Sequence, residues 1–322
     1  MMDFLNKQGL AKKVAIILLL LVACVLPYVL DRYLIYIINL IFINMVLCLG
    51  LNVLLGYGGQ FAFSNAAFYG IGAYTSSLLA TNFLIPYWLT IPIGAIFTAF
   101  IGLLIALPAL RLKGVYLAII TIGFTHLTLW VFLHWTSVTH GGGGFEVPPL
   151  VTGVFEAPYE KDIYYVAMAV AIVVVLVTYR LLRSKVGRAL VAIRENEVVA
   201  EALAINVTTY KMIAFTYSGL LAGLSGGMFA VLLRFCFPEN FDIFQMIMQF
   251  ATIMVGGLGS VMGTLIGAVI VTVLPELLRG PFTAYMEIIF GSLLLFFTVF
   301  MPEGIFGYIM KKGWVKRERL YI

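Results

Sequence analysis

Long unbroken apolar stretches, separated by short polar or glycine-rich ones, run the length of the chain. They begin with Val14–Leu30 and Leu34–Leu55. A Gly-rich segment, Gly56–Tyr74, feeds a third run that ends near Leu79. The fourth, Leu84–Leu110, contains Pro86, Pro92 and Pro108, and the fifth covers Gly114–Trp135. A sixth run spans Ile163–Leu182 and a seventh Met212–Leu233. Phe241–Leu278 is long enough for two short spans broken at Gly256-Gly257-Leu258-Gly259, and Thr283–Phe300 is the last. Continuous runs of this length are what helices crossing about 30 Å of hydrocarbon require, whereas a membrane barrel alternates apolar and polar positions. The pattern predicts an all-α polytopic membrane protein, a single transmembrane domain over residues 1–322. It has about ten transmembrane helices, or eight to nine if a Gly-broken piece is re-entrant.

Composition agrees. Of 322 residues, 62% are hydrophobic and 11% charged, with a mean hydropathy of +1.06. A soluble domain carries about a quarter charged residues, and one built from this chain would lack polar surface to cover its core. Cys24, Cys48 and Cys236 are isolated, which indicates neither a disulfide framework nor a metal site. The basic residues flank spans instead of lining one face, which argues against nucleic acid as a partner.

Charge placement orients the chain. With ten spans and a cytoplasmic N-terminus, sixteen of the twenty Lys and Arg fall on cytoplasmic segments. Both termini are then cytoplasmic, a loop at about 136–162 is external, and a charged segment at about 183–211 faces the cytoplasm. That segment, SKVGRALVAIRENEVVAEALAINVTTYK from Ser184 to Lys211, is the one dense charged interruption. It reads as two helical pieces, the second over Glu197–Ala204 with Asn196 as its N-cap. Asn206-Val207-Thr208 fits a glycosylation pattern but lies on the cytoplasmic side, where it carries no such meaning.

Polar and small residues inside the spans supply the candidate mechanism. Gly219, Gly223 and Gly227, and again Gly259, Gly263 and Gly267, recur every fourth residue and present a small face for close helix packing. Static packing and a sliding interface both fit that spacing. The interruptions at Gly56–Gly59 and Gly256–Gly259 fall one in each half of the chain, a pattern that points to a duplicated transporter. Asp31, Glu276, Arg279 and Glu287 lie near span ends, with His126 deeper. So few intramembrane carboxylates argue against a proton- or sodium-coupled carrier. Gln60, Ser64, Asn65, Thr121 and Thr125 are the candidates for polar lining of a path, or for interhelical hydrogen bonds. The chain has no G-x-x-x-x-G-K-[ST] nucleotide loop and no pairing of nucleophile and base. A membrane domain without an engine, presenting a stiff charged helix, calls for a soluble partner that docks there.

Arg188-Ala189-Leu190, Ala192-Ile193-Arg194-Glu195-Asn196-Glu197, Ala200-Glu201-Ala202-Leu203 and Ile205-Asn206-Val207 closely resemble the cytoplasmic loop of LivM-type permeases. These are membrane subunits of ABC importers for branched-chain amino acids. Gly56-Tyr57-Gly58-Gly59-Gln60, Ala66-Ala67-Phe68, Gly70-Ile71-Gly72-Ala73-Tyr74, Tyr116-Leu117-Ala118-Ile119 with Thr121 and Phe124, Gly256-Gly257-Leu258-Gly259-Ser260 and Pro302-Glu303-Gly304 are similar as well. The resemblance runs from about Leu34 to Gly307. Three positions depart from the family pattern: Ala204 replaces a common Gly, Met301 replaces an Arg, and the external Thr-Gly-Gly becomes Thr139-His140-Gly141-Gly142.

The resemblance implies an inner-membrane permease of a bacterium or archaeon, surrounded by membrane lipid. It implies a second related permease subunit, two cytoplasmic ABC ATPase subunits and an extracytoplasmic substrate-binding protein. No cofactor belongs to this chain; ATP and Mg are used by the ATPases. Arg188, Arg194, Glu195, Asn196, Glu197, Glu201, Ala202 and Ala204 are the implied ATPase-coupling residues. The implied substrates are leucine, isoleucine and valine, with other amino acids, amides or urea as the alternative. An autonomous secondary carrier or channel is the reading from another class.

Overall fold

A computed structural model describes residues 23–109, 112, 114–148, 159–278, 285–301 and 303–312. The expected first run, Val14–Leu30, lies mostly outside these, with residues 23–29 helical. The helices that follow are α1 (Arg32–Leu51), α2 (Asn65–Phe83), α3 (Tyr87–Ala109), α4 (Val115–His134), α5 (Tyr159–Arg183), α6 (Lys185–Glu195) and α7 (Glu197–Ala202). After them come α8 (Val207–Leu233), α9 (Ile243–Gly256), α10 (Val261–Leu277), α11 (Met286–Phe300) and α12 (Gly304–Lys311). Two two-residue strands, β1 (Phe145–Glu146) and β2 (Phe235–Cys236), pair antiparallel at one end of the bundle.

Six helical segments among the described residues are long and apolar enough to cross a membrane: Arg32–Tyr57, Tyr87–Ala109, Val115–His134, Lys161–Arg183, Val207–Leu233 and Ile288–Lys311. Those six fall short of the expected ten. At 1.5 Å per residue, the 14 residues of α9 and the 17 of α10 reach only about 21 and 26 Å. α2 is long enough, but its Gly, Ser, Thr and Asn content lowers its hydropathy.

The bundle is organised around α8, whose central window is 67% buried. Its small residues let α1, α2 and α3 approach at backbone distance. A Cβ on Gly226 would lie 2.0 Å from the Tyr69 carbonyl oxygen, and one on Gly219 would lie 2.8 Å from that of Thr98. Gly223 is wedged against Ala95 of α3, and Gly227 against Ser76 and Ile91. Gly263 and Gly267 do the same for the α9–α10 pair, where a Cβ on Gly267 would lie 2.0 Å from the Thr252 carbonyl. Gly259 does not belong to that helical face: it precedes α10, in a turn with φ of +75°. The four-residue spacing there joined a turn glycine to two helix glycines.

α4 is the least enclosed of the long central helices, with 28% of its window buried. Its exposed face carries Val115, Tyr116, Ile119, Ile120, Leu127 and Trp130, and His126, in the middle of the helix, is exposed there too.

Candidate functional site

The charged segment folds as two capped helices set against the bundle end where α5 finishes and α8 begins. Ser184 starts α6 by accepting a hydrogen bond from the Val186 amide (3.1 Å). Asn196 then turns the chain, its Oδ1 accepting from the Val198 and Val199 amides at 3.0 and 3.2 Å, so the expected N-cap is present. The second helix is shorter than the expected Glu197–Ala204. It stops at Ala202, and Ala204 takes a left-handed conformation with φ of +59°. The amides of Ala204 and Ile205 close this end on the carbonyls of Glu201 and Ala200. Left-handed closure is normally a glycine geometry; here alanine adopts it, so the departure at position 204 leaves the turn but adds backbone strain. Asn206 caps α8 through the Thr209 amide (3.1 Å), which gives the sequon asparagine a structural task.

α7 separates two kinds of residue. Ala200 is buried against Ile193 and Val207, while Val198, Val199 and Leu203 are 69%, 54% and 69% exposed. Glu201 and Ala202 are exposed beside them, and Arg188 is exposed on α6, 3.4 Å from the Arg183 carbonyl. Apolar side chains grouped on a tip that also carries charge are the mark of a contact surface. Val198, Val199 and Leu203 are not among the eight implied coupling residues. Their signal was the valine pair one residue before the small Ala200, which fixes which face is turned inward.

Glu197 points back at the bundle. Its Oε1 lies 2.8 Å from Nζ of Lys211, whose side chain is 3% exposed. The salt bridge ties α7 to the first turns of α8. Together with Gly58, Gly59, Gln60, Gly114, Leu117, Ile193, Arg194, Glu195 and Asn196 it lines a polar cavity of about 210 Å³. Glu195 forms an ion pair with Arg194 (2.8 Å).

Above this cavity the two glycine interruptions, two hundred residues apart, meet. α1 loosens into a π-helical turn over Asn52–Tyr57. Asn52 in that turn reaches across to the loop before α10. Its Nδ2 donates to the Ser260 carbonyl (3.0 Å) and to Thr264 Oγ1 (2.7 Å), and its Oδ1 accepts from the Gly259 amide (2.9 Å). Gly56 faces Gly259 so closely that a Cβ on Gly56 would be 2.6 Å from the Gly259 nitrogen. Arg194 comes up from α6, and its Nη1 donates to the Gly56 carbonyl at 2.7 Å. Asn52 was not among the expected residues, although an amide inside the apolar run LCLGLNVLL is itself a sign of an interhelical bond.

The five path candidates are buried and gathered near the start of α2. Thr121 Oγ1 accepts from the Phe63 amide (2.9 Å), and Thr125 Oγ1 donates to the Phe63 carbonyl (2.8 Å). They clamp the segment that enters α2. Asn65 donates to Gln249 (2.8 Å) and accepts from Ser218 (3.0 Å), joining α2, α8 and α9. Gln60 donates to the Gly58 carbonyl, and the Ser64 hydroxyl is buried without a hydrogen-bond partner. Thr121, Thr125 and Asn65 thus serve as interhelical or helix-to-loop ties in this conformation. Among the described residues no three metal-capable side chains gather.

Comparison with known proteins agrees with this architecture. Residues 33–298 match the family model for the branched-chain amino acid transport system permease component. The high-affinity branched-chain amino acid transport system permease protein LivM of Salmonella typhimurium is 32% identical, over 91% of this chain and 75% of its own length. The corresponding protein of Escherichia coli is 31% identical over the same shares. A probable branched-chain amino acid transport permease protein LivH of Methanocaldococcus jannaschii is 27% identical over 87% of this chain and 93% of its own. No solved structure matches. With a bundle of membrane-length helices, a capped charged segment at one end, and a family match covering most of its length, the chain belongs to the permease component family of branched-chain amino acid transport systems, as a multi-pass transport subunit.

Proposed function

We propose that the chain is one permease subunit of an ATP-driven importer that moves leucine, isoleucine or valine across the cytoplasmic (inner) membrane. In this reading it makes ten passes with both termini cytoplasmic, and a second related permease completes the translocation path. Two cytoplasmic ABC ATPases, which use ATP and Mg, dock on the charged segment, and an extracytoplasmic binding protein delivers substrate. The names of the relatives favour branched-chain substrates over other amino acids, amides or urea.

The observation that carries the docking role is the exposed tip of Val198, Val199 and Leu203. An apolar cluster in an otherwise charged, water-facing segment loses its unfavourable hydration when a partner covers it. Glu201 and Arg188 supply the charged rim, while Glu197 and Arg194 are engaged with the permease itself.

Leu203→Asp and Glu201→Lys test this. Co-purification of the ATPases and uptake in proteoliposomes should both fall steeply, while the permease still folds. Undiminished association and uptake in both variants would sink the docking role, and ATP-independent transport by the chain alone would favour a secondary carrier.

A further inference from the structure

Arg194 sits where the charged segment meets the two glycine turns, and its surroundings differ from those of a residue that faces a docked partner. Its guanidinium divides its donors between two directions. Nη1 goes to the Gly56 carbonyl at 2.7 Å, and Nε and Nη2 go to Glu195 Oε1 at 3.2 and 2.8 Å. The Gly56 carbonyl belongs to the last turn of the α1 π-helical extension, where backbone acceptors lack partners within the helix and a cation is favoured by the helix dipole. The stem of the arginine lies on Gly59: a Cβ there would be 2.7 Å from Arg194 Cγ. On its other side, a Cβ on Gly259 would be 3.2 Å from Nη1. One side chain therefore touches both interruptions, at the point where Asn52 already ties α1 to α10.

We infer that Arg194 is a positioning residue that transmits displacement of the α6–α7 segment into the α1–α10 seam. The inference deepens the permease reading and rests on it. The glycines at 59 and 259 leave room for the arginine to lie against backbone on both sides, and the fork geometry lets one cation hold the Gly56 carbonyl and Glu195 together. A lysine is a point charge with no such fork. The aliphatic stem packs on Gly59, so a rotation of α6 shifts the Gly56 turn with it. The α7 tip is then the surface that engages the engine, and Arg194 is the link behind it.

Arg194→Lys and Arg194→Gln in the assembled transporter separate the two roles. The measurements are ATPase co-purification, ATP hydrolysis and radiolabelled leucine uptake on the same proteoliposomes. The expected result is full assembly and continued hydrolysis, with uptake per ATP reduced about tenfold in Arg194→Gln and less in Arg194→Lys. That lies within the roughly 5–150-fold range of couplings between distant sites. Gly59→Ala approaches the same contact from the other element, and is expected to lower uptake per ATP without loss of the subunits. An unchanged uptake-to-hydrolysis ratio in all three variants would overturn the inference. So would loss of ATPase binding in Arg194→Lys, which would make the residue part of the docking surface, or an equal fall in hydrolysis and uptake, which would make it part of engine activation. Failure of the docking reading shows separately, in the Leu203→Asp variant, where binding itself is measured.

Discussion

Glu197 and Lys211 form an ion pair at 2.8 Å, with side chains 20% and 3% exposed. At an effective dielectric of about 20, two unit charges at that distance attract by about 6 kcal/mol, against which desolvation of two ions costs several kcal/mol. The net worth of the intact pair is therefore small, but removing Glu197 strands a buried ammonium. Glu197→Gln is expected to cost about 3–5 kcal/mol, and Lys211→Met, which leaves a carboxylate 20% exposed, a smaller amount. The double variant Glu197→Gln/Lys211→Met removes both charges, places an apolar side chain of similar length in the slot, and should lie within about 1 kcal/mol of the parent. Thermal unfolding of the detergent-solubilised chain in a double-mutant cycle measures this, as apparent midpoints that fall by several degrees in Glu197→Gln, by less in Lys211→Met, and recover in the double. Single variants that each shift the midpoint by less than a degree, or a double variant whose loss equals the sum of the singles, would refute the reasoning.

Ala204→Gly relieves a left-handed alanine and is expected to stabilise the charged segment by about 0.5–1 kcal/mol, seen as slower amide exchange at Ala202–Ile205. Asn52→Leu deletes three hydrogen bonds and leaves the Gly259 amide without its acceptor; a loss of about 2–4 kcal/mol in unfolding free energy is expected. Gly226→Ala pushes a methyl to within 2.0 Å of the Tyr69 carbonyl, and should prevent recovery of folded protein from membranes by size-exclusion chromatography. Burial pushes the Cys236 thiol above its ordinary range, so it should resist maleimide in the folded state and label once β1 and β2 are separated by denaturant.

The spans were legible because hydrocarbon tolerates little besides an apolar helix: α4 and α5 fall within a few residues of the runs that predict them. The errors have local causes. α8 starts at Val207, five residues before the expected Met212, because Lys211 is neutralised by Glu197 and so can stand inside a helix. α7 ends early because Ala204 turns left-handed, a choice alanine does not advertise. The convergence of Gly56 with Gly259 rests on a contact across two hundred residues, which no spacing rule encodes. Asn196 as a cap was readable, since capping depends on residues one to three positions away. Charge in a water-facing segment ordinarily points to solvent, and Glu197 shows the exception: a carboxylate with a buried cation within reach turns inward.

The α8 spacing admits static packing or sliding, and the contacts of this conformation fit static packing. Gly219, Gly223 and Gly227 stand four residues apart, so a four-residue shift of about 6 Å would return glycine to two of the three positions. Gly226 removes that freedom. The same shift would bring Ala222 or Ala230 to the place where a Cβ meets the Tyr69 carbonyl at 2.0 Å. Gly72 adds a second lock, since a Cβ there would be 2.4 Å from the Gly223 Cα. α8 thus packs backbone to backbone on α2 and α3. The α1–α10 junction combines the close Gly56–Gly259 backbone contact with side-chain bonds of Asn52 and Arg194. In the proposed coupling, movement that begins at the charged segment would meet that junction first, through the Arg194–Gly56 bond.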